Sequence, residues 1–192
     1  MGMRWIDHVN AVPQRPPQRR TVMLSAGHSD TVPGIVANGY KEADIVQLFR
    51  DDVSDRLKHL GIQHALDGEP GENLPLREAV QIAKGFEIAV EFHTNGGGPG
   101  ATGVETLSRA HNKPLGAELC RITSDLLGIP NRGAKPENAG YHERLAFVSG
   151  GGGLIFELFF LSNANDHWSF KQHYDELVEA VAGVIADAAR AA

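Results

Sequence analysis

The sequence predicts an α/β fold: a single domain with a twisted, mostly parallel sheet flanked by helices on both faces. Short apolar segments of β type alternate along the chain with amphipathic segments at helical spacing, which is typical of parallel strands joined by helices. A length of 192 residues and an apolar content of 42% suit one core of good size. We see no internal repeat and no second linker that would divide the chain.

The predicted elements follow one another from Thr21. "TVMLSAGH" is a short strand, and "EADIVQLFRDDVSDRLKHLG" is a helix that stops at Gly61. "IQHAL" is a weak strand, "LREAVQIAKGF" a helix and "EIAVEFH" a strand. "GVETLSR" predicts a further strand, and "PLGAELCRITSDLLG" a helix that Gly128 ends. "LAFVSG" and "LIFELFFLS" are strand candidates on either side of four glycines, and "YDELVEAVAGVIADAARAA" is a long amphipathic helix.

The first 20 residues differ from the rest in composition. The segment "PQRPPQRR" (Pro13 to Arg20) is locally basic, rich in proline and without apolar periodicity. We therefore interpret residues 1–20 as a flexible basic arm rich in proline and arginine, and residues 21–192 as the single folded domain.

Composition excludes several classes of protein. A net charge of −6 argues against a nucleic-acid binder. The sequence contains no run of about 18 apolar residues, so we expect no integral contact with a membrane. Cys120 is the one cysteine, which excludes an internal disulfide and suits a reducing cytoplasm. No secretory signal is visible at the start of the chain. We therefore expect synthesis in the cytoplasm. The oligomeric state is not readable from the sequence.

Glu157 is the most informative single residue, because it lies within the apolar run "LIFELFF". An unpaired carboxylate among such neighbours costs several kcal/mol, whereas a whole domain is stable by only about 5–15 kcal/mol. Glu157 must therefore face a partner, a cavity or a metal, or stay protonated. We interpret it as a working carboxylate in preference to a buried acid bound to backbone or arginine.

Two histidines end predicted strands: His28 follows "VMLSAG" and His93 follows "AVEF". Parallel strands bring their carboxyl ends to the same edge of a sheet, where ligands collect. A catalytic zinc site uses three protein ligands and one open position, and two imidazoles with one carboxylate fit that pattern. Spacing alone leaves the third ligand open among five acids, Asp30, Glu42, Asp44, Glu91 and Glu105.

Six segments, in this order, resemble the zinc-dependent N-acetylmuramoyl-L-alanine amidases of bacterial autolysins and phage endolysins. They are "SAGHSD", "YKEADIV", "AVEFHTN", "GVETL", "NRGAKP" and "FELFFLSN". The match as a whole extends from about Val22 to Asp166. "EFH" departs from the family, in which the strand end is more neutral. The resemblance implies Zn²⁺ ligands at His28, Glu42 and His93 and a general base at Glu157. It also implies a peptidoglycan substrate, cleaved between N-acetylmuramic acid and L-alanine by zinc-activated water.

The strand that ends "EFHTN" predicts further residues at the site. Glu91, His93 and Asn95 share one face of a strand with a period of two, so Glu91 and Asn95 are candidates to support the ligands or the substrate. Glu105 and Arg132 are further candidates of the same kind. We expect a phage or prophage endolysin that acts on the cell wall or periplasm after release by a holin or by lysis.

Two other functions remain open at this stage. The first is another zinc amidohydrolase or carboxypeptidase of the same architecture, which a pair of arginines gripping a substrate carboxylate would favour; Arg109, Arg132 and Arg144 are available. The second is a non-catalytic module that binds the cell wall or builds a phage structure, which the loss of a metal ligand would favour.

Overall fold

The computed structural model describes residues 20–98, 100–140 and 143–191, and eight strands lie within them. They are β1 (Val22–Ala26), β2 (Val36–Ala37), β3 (Tyr40–Lys41), β4 (His64–Leu66), β5 (Ile88–Asn95), β6 (Val104–Ser108), β7 (Asn131–Lys135) and β8 (Leu154–Phe160). Six of them form one sheet in the order β4-β1-β5-β8-β6-β7, and β2 and β3 form a separate hairpin. All neighbours in the six-stranded sheet are parallel except β6 and β8.

Helices cover both faces of the sheet, but unequally. The helices are α1 (Glu42–His59), α2 (Leu76–Ala83), α3 (Lys113–Leu127), α4 (Ala146–Ser149), α5 (Ala164–Gln172) and α6 (Tyr174–Arg190). The long helices α1, α3 and α6 contribute to the main core on one face, whereas the short helices α2 and α4 pack on the other. No helix in the described part of the chain is long and apolar enough to cross a membrane.

The alternation of side chains along β5 shows which residues lie on the face of the sheet that the helices cover only in part. Val90 and Phe92 point into the main core, while Glu91 and His93 point to the face that carries α2 and α4. Because α2 has 8 residues and α4 has 4, they cover only part of this face. The remaining part forms a crevice at the carboxyl ends of β1 and β5.

A buried ion pair holds the segment that follows β4. The side chain of Arg50 is fully buried, and it donates to the carboxylate of Asp67 at 2.5 Å and to the carbonyl oxygen of Glu72 at 2.7 Å. Asn73, next along the chain, donates from Nδ2 to the carbonyl oxygen of Gly27 at 2.9 Å. The network therefore fixes the turn that precedes His28.

The predicted fold class is confirmed, including the mostly parallel sheet and the helices on both faces. The prediction of a strand at "LAFVSG" is wrong, because Ala146–Ser149 forms the helix α4. An apolar run this short has no periodicity that separates strand from helix. Of the predicted arm at residues 1–20, residues 1–19 lie outside the described residues. The backbone N–H of Arg20 donates to the carbonyl oxygen of Ala189 at 2.9 Å.

Candidate metal centre

Three side chains from distant parts of the chain meet in the crevice. His28 follows β1 in a turn, Glu42 is the first residue of α1, and His93 lies near the end of β5. One ligand atom from each residue lies within 4.8 Å of those of the other two. His28 has a φ of +70°, a left-handed conformation that is uncommon for a residue with a side chain and that turns its ring towards Glu42.

Glu42 lies at the centre of this cluster and is only 1% exposed. Its Oε2 lies 2.9 Å from Nε2 of His28, and its Oε1 lies 3.0 Å from Nδ1 of His93. Each carboxylate oxygen also accepts a backbone hydrogen bond at 2.9 Å, one from Ile35 and one from Thr94. These four contacts leave the carboxylate a single orientation between the two rings.

The pKa directions agree with this arrangement. Burial by itself raises the pKa of Glu42, but the hydrogen bonds to His28 and His93 outweigh it and hold the pKa well below its usual range. Burial by itself lowers the pKa of His93, but the contacts with Glu42 and Glu91 raise it overall. In the absence of a cation, Glu42 therefore carries a negative charge at neutral pH.

The donor set fits a zinc ion. Two imidazole nitrogens and one carboxylate oxygen are the ligands of many catalytic zinc sites, which bind at about 2.0–2.2 Å and leave one position open. Such bond lengths need donors roughly 3–3.5 Å apart. The three candidate ligand atoms lie within 4.8 Å of one another, and each oxygen of Glu42 lies 2.9 or 3.0 Å from one of the two rings. The buried negative charge of Glu42 supplies the attraction for the cation.

Two glycines allow the three side chains to approach one another. A Cβ added at Gly27 would lie 2.3 Å from the ring of His93, and one added at Gly34 would lie 2.5 Å from the ring of His28. Gly34 also has a φ of +66°, which side chains rarely adopt. Both positions therefore depend on the absence of a side chain.

Gly27→Ala is expected to weaken metal binding without unfolding the protein. The methyl group would push the His93 ring away from Glu42, and a displacement of about 1 Å is enough to spoil a metal site. The matched control is Gly183→Ala in α6, where a Cβ meets nothing within 4 Å and alanine favours the helix by about 1 kcal/mol. Chelator competition and thermal unfolding would measure both variants. Equal metal affinity in Gly27→Ala and the wild type would contradict the close approach.

Glu157 lies beside this cluster on β8, opposite His93 in one neighbouring strand and Glu105 in the other. Its Oε2 is buried and has no hydrogen-bond partner among the described residues. Burial raises its pKa to about 7; the charge of His93 opposes this rise, and the carboxylate of Glu42 adds to it. The adjacent aromatic and leucine side chains point to the opposite face, so the polar crevice itself provides much of the environment of this carboxyl.

A second group of polar residues forms the wall next to Glu157. Glu105 accepts hydrogen bonds from Nδ2 of Asn95 at 3.2 Å and Nζ of Lys135 at 2.7 Å, and it pairs with Nε of Arg132. The guanidinium of Arg132 lies 4.9 Å from the centre of the Phe160 ring. These contacts lower the pKa of Glu105 against the effect of its burial, so its carboxylate stays charged.

An α/β domain with two imidazoles and a carboxylate converging at strand ends, beside a further carboxylate of raised pKa, has the architecture expected of a metallohydrolase. Comparison with known families identifies which one. A family model described as N-acetylmuramoyl-L-alanine amidase matches residues 22–188, and the chain belongs to this family.

Individual relatives agree with this membership. The crystal structure of a candidate N-acetylmuramoyl-L-alanine amidase from Neisseria meningitidis is 39% identical, with a TM-score of 0.79, over 88% of this chain and 94% of that one. The catalytic domain of CwlV, an N-acetylmuramoyl-L-alanine amidase from Bacillus (Paenibacillus) polymyxa, is 22% identical and has the same fold, with a TM-score of 0.70 and 88% and 95% coverage. A candidate autolysin of Staphylococcus aureus is 24% identical over 86% of this chain, which spans only 38% of the length of that protein.

The structure brings together His28, Glu42, His93 and Glu157, and it places Glu91 next to His93. Among the acids that spacing left open, Asp30 instead accepts a hydrogen bond from the backbone of Asn73, and Asp44 is exposed. Asn95 and Arg132 both contact Glu105 rather than the three candidate metal ligands. Sequence reasoning missed Lys135, whose position next to Glu105 depends on the pairing of β6 with β7.

Proposed function

We propose that this protein is a peptidoglycan hydrolase that cleaves the amide bond between N-acetylmuramic acid and L-alanine. Zn²⁺ would be held by His28, Glu42 and His93, and Glu157 would be the general base. The observation that carries the proposal is that these four side chains line one cavity, in a chain of the amidase family.

When bound, zinc supplies Lewis-acid polarisation of the scissile carbonyl and acidifies a water molecule. Glu157 accepts the proton of the attacking water and later delivers it to the departing amine of L-alanine. Its unpartnered Oε2 and its pKa of about 7 suit a group that must both take and release a proton near neutral pH. Glu42 and the two histidines keep the polarising charge at a fixed place beside it.

The polar wall suits an anionic peptide stem. Glu42, Glu91, Glu105 and Glu157 together place considerable negative charge around the crevice, which would repel the carboxylates of a stem peptide. Arg132 and Lys135 offset part of this charge next to Glu105. We propose that Asn95, Glu105 and Arg132 act as a unit, in which Glu105 positions the two cations against the substrate.

One rival function loses support from the contacts of the arginines. Arg132 is paired with Glu105, and Arg109 donates to the carbonyl oxygen of Ser149 at 3.1 Å. A carboxypeptidase would grip a terminal carboxylate with a pair of arginines, whereas only Arg132 of these two lies at the polar wall. The binding partner in this proposal is peptidoglycan, with no nucleic acid and no integral membrane contact. Origin in a phage or prophage, and action on the wall after release by a holin or lysis, are the further parts of the proposal.

Digestion of purified cell-wall sacculi tests the proposed reaction. We expect the zinc-loaded protein to release new amino termini of L-alanine, chelation to stop the release, and added zinc to restore it. Labelling of free amines followed by mass spectrometry of the fragments identifies the bond that is cut. New reducing sugar ends, or release of a carboxy-terminal amino acid, would instead assign a different hydrolase.

A further inference from the structure

Two cavities of different chemistry open from the metal centre, and both are lined in part by His28 and His93. The first, which we call the apolar cavity, has a volume of about 300 Å³ and is lined mainly by Val32, Leu76, Phe147 and Ile155, with Glu91 as its acid. The second, the polar cavity, has a volume of about 340 Å³; Glu42, Asn95, Glu105 and Glu157 are among the residues that line it. The proposed general base thus faces the polar cavity.

Glu91 is an unexpected residue for the apolar cavity. It is 2% exposed, and its Oε2 has no hydrogen-bond partner within the described segments of the chain. The nearest ring nitrogen, Nε2 of His93, lies 3.7 Å away, which is close enough for an ion pair but too long for a hydrogen bond, so this oxygen keeps an unused acceptor position. A buried oxygen without a donor is costly, and a ligand that brings a donor would recover that free energy.

The ligand that fits this cavity has an N–H donor next to small apolar groups. A carboxylate accepts hydrogen bonds and donates none, so it selects an N–H or O–H group. The aliphatic and aromatic walls select methyl groups over hydroxyls. Val32 and Leu76 are 52% and 45% exposed, which leaves them free to contact a ring at the mouth of the cavity. An acetamido group on a sugar combines these properties.

The position of Glu157 decides which side of the scissile amide enters each cavity, and this step rests on the proposed function. Glu157 must reach the departing amine, so the L-alanine side lies in the polar cavity near Arg132 and Lys135. The acyl side, which carries the lactyl group and the sugar, is then directed to the apolar cavity.

We propose that the apolar cavity is a subsite for the N-acetylmuramic acid residue, in which Glu91 accepts a hydrogen bond from the acetamido N–H. The acetyl and lactyl methyl groups pack against Phe147 and Ile155, and the pyranose ring lies against Val32 and Leu76. A volume of about 300 Å³ is that of roughly ten water molecules. This is enough for the acetyl and lactyl groups of one sugar.

Binding of two small sugars to the zinc-loaded protein tests the subsite. One is the methylamide of N-acetylmuramic acid, and the other is the same compound with an acetoxy group in place of the acetamido group. The acetoxy compound keeps the methyl group but has no N–H, so we expect it to bind about 10- to 100-fold more weakly. Chemical-shift titration measures both affinities. Equal affinity for the two compounds would overturn the proposal.

Variants of Glu91 assign the discrimination to this carboxylate. Glu91→Met removes the hydrogen-bond acceptor while keeping a side chain of similar length, and it is expected to abolish the preference for the acetamido compound. Glu91→Gln keeps one acceptor oxygen and is expected to retain part of that preference. Glu176→Met, an exposed site at the start of α6, is the matched control and should discriminate like the wild type. Zinc content and thermal unfolding confirm that each variant is folded and loaded. An unchanged preference in Glu91→Met would refute the assignment.

Kinetics separate this proposal from the proposed function. Hydrolysis of N-acetylmuramoyl-L-alanine peptides tests the reaction, whereas the acetamido preference in the binding titration does not require turnover. Two changes to the substrate can be compared in Glu91→Met and the wild type: replacement of L-alanine by glycine, and alteration of the acetamido group. If the two proteins differ in their response to the first change and not to the second, the apolar cavity holds the peptide side and our assignment is wrong.

Discussion

Glu157→Gln is expected to lower the rate of amide hydrolysis by about 10²- to 10⁴-fold while zinc content and fold stay unchanged. The range is that of general acid–base catalysis by a positioned side chain. Glutamine has the shape of glutamate but cannot take a proton from water or return it to an amine. The three candidate ligands are untouched, so the metal should remain bound.

The control for Glu157→Gln is Glu176→Gln, the same chemical change at an exposed position on the far side of the sheet. Turnover of cell-wall sacculi and zinc analysis by mass spectrometry measure both proteins. We expect Glu176→Gln to behave as the wild type. Near-normal hydrolysis by Glu157→Gln would mean that another group accepts the proton.

The pH dependence of the wild type follows from the same residue. A general base works when deprotonated, so kcat/KM should rise with pH until the carboxyl has lost its proton. Burial raises the pKa of Glu157 to about 7, and the charge of a bound cation acts in the opposite direction. The acidic limb of the profile should therefore lie at or below about pH 7, and it should be absent from the residual activity of Glu157→Gln.

Parts of the fold and the site are predictable because they depend on local patterns. The histidines follow apolar strands, and parallel strands end at one edge, so the proximity of His28 and His93 follows from the sequence. The cost of burying a lone carboxylate likewise predicts that Glu157 faces a cavity. Each argument needs only the residue, its immediate neighbours and the type of sheet.

Other parts depend on long-range geometry that no local pattern encodes. Glu42 reaches the histidines because the β2–β3 hairpin turns the start of α1 back towards the sheet. In this hairpin Val36 pairs with Lys41, the residue that precedes Glu42. Glu105 faces Glu157 because β6 pairs with β8 in an antiparallel register that sets these two residues opposite each other. Resemblance to the family supplied Glu42 where spacing left five acids open. Lys135 had no such signal, because "NRGAK" has neither the alternation nor the apolar content of a typical strand.

His93→Ala is expected to abolish both zinc binding and hydrolysis, and it tests the metal centre as a whole. It leaves His28 and Glu42, two of the three donors, and we expect the affinity for zinc to fall by more than about 100-fold, since even the loss of a residue that only supports a ligand costs 10- to 100-fold. Glu42 would also lose its contact at 3.0 Å, although the backbone donors at Ile35 and Thr94 remain. The fold should therefore persist without the metal.

Thermal unfolding with and without zinc distinguishes loss of the site from loss of the fold. A ligand that binds only the native state stabilises it in proportion to the logarithm of its concentration over its Kd, so zinc should raise the Tm of the wild type and leave that of His93→Ala unchanged. His111→Ala, an exposed histidine in the 3₁₀ turn at Ala110–Asn112, should respond like the wild type. If His93→Ala retained full zinc content and the zinc-dependent rise in Tm, then His93 would not be a ligand.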